Sequence, residues 1–64
     1  MNQRLINERA FLTARELLGT VQNCLREEEH RDAFEEFYRI CKQQLEQYEA
    51  EADRMQRRLL PSRN

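Results

Sequence analysis

One glycine, one proline and no tryptophan stand among 64 residues. So few turn-forming residues exclude β meanders and leave long helices as the expected elements. There is no Gly-rich stretch from which a phosphate-cradling loop could be built. No run approaches the ~20 consecutive apolar residues that a membrane-spanning helix needs, and 36% of the residues are charged. The chain is too short for more than one domain, and a 39% hydrophobic content is too small for a closed enzyme cavity. Cysteine occurs only at positions 24 and 41. No apolar segment follows a basic start, so no signal peptide is expected. Cys24 and Cys41 fall on apolar stripes, where a free thiol behaves as a small hydrophobe. The expected setting is therefore cytoplasmic, with both thiols reduced and buried.

Charge is present in both signs but unevenly distributed behind a formal net charge of −1. Residues 26–36 set Arg26 and Arg31 against Glu27, Glu28, Glu29, Asp32, Glu35 and Glu36, a balance of −4. Residues 54–64 carry Arg54, Arg57, Arg58 and Arg63 and no acid, a balance of +4. The chain is acidic in its middle and basic at its end. A nucleic-acid-binding surface would instead show a basic excess running along one face.

Apolar residues recur at helical spacing in two segments. In the first they are Ile6, Ala10, Phe11, Ala14, Leu17, Leu18, Val21, Cys24 and Leu25. At ~100° per residue they fill an arc of about 140°, wide enough for more than one neighbour. Gly19 lies outside that arc and the stripe keeps phase across it, so a continuous helix is predicted over about residues 4–28. In the second segment, Phe34, Tyr38, Cys41, Leu45, Tyr48, Ala52, Met55 and Leu59 alternate spacings of four and three. This is the ~3.5-residue period of a supercoiled seam. Asp32 and Glu35 stand in the order of a capping box and predict a helix over about 33–60. Pro61 ends it, leaving 61–64 as a frayed tail.

Phase decides between one long helix and two. In a continuous helix the two stripes would point roughly 155° apart, burying opposite sides of its two halves. A turn at about 29–32 brings both inward. The fold class expected is all-α: an antiparallel, coiled-coil-like two-helix hairpin, forming one domain over residues 1–64. Two such helices cover only one flank of each stripe, and a short chain without disulfides or metal completes its core by association. A four-helix bundle from two hairpins is the simplest closed arrangement. The expected partner is a second copy, antiparallel so that acidic turns meet basic tails, although a helix of another protein would satisfy the same geometry. Neither nucleic acid nor membrane is an expected partner.

Candidate chemistry is sparse. Glu27 and His30 have the Glu-x-x-His spacing of di-iron bundles, but in a polar turn they read as solvated residues. Cys24, Cys41 and His30 fit no common zinc spacing. No Ser or Cys can be assembled with His and an orienting acid, so no catalytic residue, cofactor or metal is expected. The association interface is assigned to Phe11, Leu18, Val21, Leu25, Phe34, Tyr38, Leu45, Tyr48, Met55 and Leu59. Leu5 and Leu12 lie seven residues apart off the main stripe and form a second contact surface. Arg54, Arg57 and Arg58 favour a helix C-terminus, or an anionic or acidic partner.

The function expected is a non-enzymatic protein–protein interaction module, a self-associating hairpin with a structural, adaptor or chaperone-like role. The alternative is a small dimeric RNA- or DNA-binding regulator. In size and plan the chain resembles the Rop-like plasmid RNA-binding hairpins, which are dimeric four-helix bundles. That likeness implies RNA binding, but no residue motif carries it and it transfers no site. A membrane-surface helix is disfavoured by the acids on the polar face.

Overall fold

The computed structural model describes residues 2–59, with the Leu59 side chain, Pro61 and the tail 61–64 outside the described part. The chain forms two helices, α1 (Gln3–Val21) and α2 (His30–Leu59), joined by short 3-10 turns at Gln22–Cys24 and Glu27–Glu29. The helices pack against each other as an all-helical hairpin. Its longest dimension is 58 Å.

Asn2 starts α1. Its backbone is extended, and its side-chain oxygen accepts the Leu5 N–H at 2.9 Å, satisfying one of the orphan donors of the first turn. Gly19 stays inside the helix with a negative φ, as the unbroken stripe predicts. The helix ends at Val21, however, about a turn and a half to two turns short of the expected residue 28.

The reversal occupies residues 22–29, upstream of the predicted turn at 29–32, and side-chain-to-backbone bonds build it. Leu25 and Arg26 are extended between the two 3-10 turns. The Leu25 N–H donates to the Gln22 carbonyl at 3.1 Å. The same carbonyl lies 3.3 Å from His30 Nε2. A carbonyl only accepts, so Nε2 carries the proton in this contact. His30 is thus a half-buried tether across the turn, and the reading of it as a solvated turn residue is corrected.

The Glu29 carboxylate accepts the Arg26 backbone N–H at 2.8 Å. Arg26 has no side-chain acceptor to return, so only the glutamate half of a capping box forms. Asp32, expected to cap α2, instead lies inside its first turn, where its charge complements the helix dipole.

The helices meet over small side chains. Ile6, Ala10 and Ala14 are the only buried apolar residues among those described, and both alanines are wholly covered. Their spacing of four puts them on one line along α1, and two alanine methyls let the backbones approach closely. Leu18, Val21 and Leu25 towards the turn are half-buried, as are Phe34, Phe37, Tyr38, Cys41 and Leu45 of α2. Ion pairs add little. Arg31–Glu35 (3.7 Å) and Arg57–Asp53 (3.3 Å) lie within α2 and are exposed; such pairs contribute about 0.2–0.5 kcal/mol each.

Candidate functional site

Unequal helix lengths shape the exposed surface. α1 has 19 residues and α2 has 30. At the open end, Gln3 Nε2 donates to Glu46 Oε2 at 3.0 Å, which sets the start of α1 level with Glu46. Among the described residues, 47–59 therefore run on past α1 for ~20 Å without a neighbouring helix. Helices over about 4–28 and 33–60, close to equal in length, were expected, and this overhang is a departure from them.

The residues assigned to association divide into two sets. Leu18, Val21, Leu25, Phe34, Tyr38 and Leu45 are half-buried, because the hairpin's own packing already uses one side of each. Phe11, Tyr48 and Met55 are exposed, Tyr48 by 68% and Met55 by 59%. Leu59 belongs to α2, but its side chain lies outside the described residues.

Phe11 is anchored on one side only. Its ring meets Phe34 edge-on at 5.2 Å with an interplanar angle of 72°. Phe34 in turn lies parallel to Tyr38 at 6.5 Å, and Lys42 Nζ stands 6.0 Å from the Tyr38 centroid. An aromatic row therefore runs along one flank of the hairpin with its outer edge in solvent.

Leu12, ~100° further round α1 than Phe11, lies beside a groove of about 450 Å³ between the helices. Arg9, Thr13, Ile40, Cys41, Gln44 and Leu45 complete its walls. Leu12, Ile40 and Leu5 are exposed by 55%, 43% and 43%. The groove thus joins Leu12, given above to a separate second surface, with Leu45 of the main seam. Ile40 widens this patch. Cys41 is half-buried in the groove wall, whereas Cys24 is exposed in the turn, contrary to its expected burial.

The three arginines near the end of α2 have different neighbours. Arg57 pairs with Asp53 on the previous turn. Arg54 and Arg58 are four residues apart and share a shallow surface depression with Glu51 and Met55. At the opposite end, Glu35 and Glu36 pair with Arg31 and Arg39, while Glu27 and Glu28 make no ion pair among the described residues. The described part contains no group of three or more His, Cys, Asp or Glu side chains arranged to hold a metal. No described helix is long and apolar enough to cross a membrane. No family model matches this chain, and neither a curated protein nor a solved structure matches it.

Proposed function

We propose that this chain is a non-enzymatic protein–protein interaction module, a helical hairpin that completes its hydrophobic core by pairing with a second copy of itself. The observation carrying this reading is the imbalance between what is buried and what is not. Among the described residues, three apolar side chains are buried, two of them alanines, while Leu5, Phe11, Leu12, Leu17, Ile40, Tyr48 and Met55 remain 41–68% exposed. Covering a large apolar side chain contributes roughly 1.5–3 kcal/mol, so these residues hold more unrealised burial than the three-residue core supplies. Leu17 and Phe11 lie on the predicted stripe of α1 yet stay open, which matches an arc too wide for α2 alone.

Nucleic acid has less support as a partner. Asp53 engages Arg57, and Glu51 lies beside Arg54 and Arg58, so the basic end offers no continuous phosphate-binding stripe. Sedimentation equilibrium tests the proposal. At tens of micromolar the mass should be twice the 7.9 kDa of the chain. A folded monomer at that concentration overturns it.

A further inference from the structure

We infer that residues 47–59 of α2 form a docking arm whose seat is the 22–29 turn of a second copy of this chain. The inference rests on the self-association proposed above and adds to it the place, orientation and charge logic of the contact.

The arm carries an apolar stripe, Tyr48, Ala52 and Met55, that is exposed among the described residues. Tyr48, Ala52 and Met55 continue the four-three spacing of Cys41 and Leu45 beyond the last residue of α1 that could cover them. With Glu51 and Gln56 they frame a single shallow depression of about 310 Å³. A helical segment of ~13 residues is marginal in water without a packed face. The stripe therefore has both the surface and the energetic need for a neighbour.

Geometry and charge select which neighbour. When two hairpins lie antiparallel with their bodies level, the end of one body at Gln3 and Glu46 meets the other's Val21 and His30. The arm of each copy then runs past the turn of the other. There Tyr48 and Ala52 come beside the partner's Leu25, half-buried within a single hairpin. Arg54 and Arg58 come towards the partner's Glu27 and Glu28, which have no ion pair among the described residues of a single chain. Two-fold symmetry makes the contact twice. A parallel pair would instead place turn on turn and arm on arm, with like charges facing. A standard interface takes about 800 Å² from each partner, roughly a seventh of the 5693 Å² surface of one chain.

Two charge-reversed full-length chains test the contact at low salt, with circular dichroism confirming that each is helical. R54E/R58E makes both turn and arm acidic, and E27K/E28K makes both basic. Glu29 is left alone because it holds the turn. Each variant by itself should dimerise about tenfold more weakly than the parent, and an equimolar mixture should recover the parent's affinity through a heterodimer. Orientation is read by oxidising a mixture of C41A, which keeps Cys24, with C24S/C41A/M55C. Crosslinking between the two chains is expected, with little within either kind.

If the parent dimerises but both variants match it, or each chain crosslinks only to its own kind, the arm does not sit on the turn and self-association alone stands. If the parent is monomeric, both conclusions fall.

Discussion

The rings of Phe11 and Phe34 meet edge to face across the helix pair, 5.2 Å between centroids and 72° between planes. It is the one aromatic contact that joins α1 to α2. Phe34 also faces Tyr38, so it is the hinge of the aromatic row. Phe34→Ala should destabilise the hairpin by about 2–4 kcal/mol, somewhat less than the ~3–5 kcal/mol for core phenylalanines because the residue is only half-buried. Phe11→Leu keeps the apolar surface and loses the ring geometry, and should cost about 0.5–1.5 kcal/mol. Thermal melts at one fixed protein concentration measure both, and a Phe11→Leu variant as stable as the parent would show that the edge contact has no part of its own.

Ala10 and Ala14 set the distance between the helices. Both are fully covered, so Ala14→Leu adds side-chain volume where there is no room. The expected cost is about 1–3 kcal/mol, despite the gain in hydrophobicity. A urea melt in which Ala14→Leu equals or exceeds the parent in stability would overturn this account of the packing.

Gly19 offers a change of opposite sign. A Cβ built there meets nothing within 4 Å, and the backbone is helical. Gly19→Ala should therefore stabilise the protein by about 0.5–1 kcal/mol, seen as a rise in melting temperature of roughly 2–8 °C.

The turn depends on two side chains that reach back to the main chain. Glu29→Ala removes the acceptor of the Arg26 N–H and should cost about 0.5–1.5 kcal/mol. Glu29→Gln retains a carbonyl acceptor and should lose less. His30→Ala opens the contact to the Gln22 carbonyl, with a loss of similar size. Denaturant midpoints for the three variants check the order, and an alanine variant as stable as the glutamine one would show that the acceptor is idle.

The hairpin itself was legible in the sequence, because stripes that change phase by roughly half a turn require a reversal between them. The position of the reversal was not. Cys24 and Leu25 fit the first stripe, and Arg26 to Glu29 contain no helix breaker, so periodicity carries α1 on to residue 28. What stops it is a pair of bonds, Glu29 to the Arg26 amide and His30 to the Gln22 carbonyl, which exist only once the chain has turned. Asp32 drew the capping assignment because it stands three residues before a glutamate, while Glu29 stands in the same relation to Arg26, a residue type that signals no cap. The arm was hidden for a related reason. A stripe reports which face of a helix is apolar, and where its partner ends depends on the partner's own caps. Once α1 stops at Val21 and begins level with Glu46, Tyr48 and Met55 pass from seam to open surface.

The overhang also makes protection uneven along α2. Around Phe34, opening a backbone hydrogen bond means separating the two helices; around Met55 it means unwinding a single strand of helix already surrounded by water. In one isolated chain, amide hydrogens should exchange with solvent fastest in the last turns of α2, and a protease should cut there first. A bound neighbour would abolish that gradient, so slow exchange near Met55 would report an occupied arm even where no change in mass can be measured.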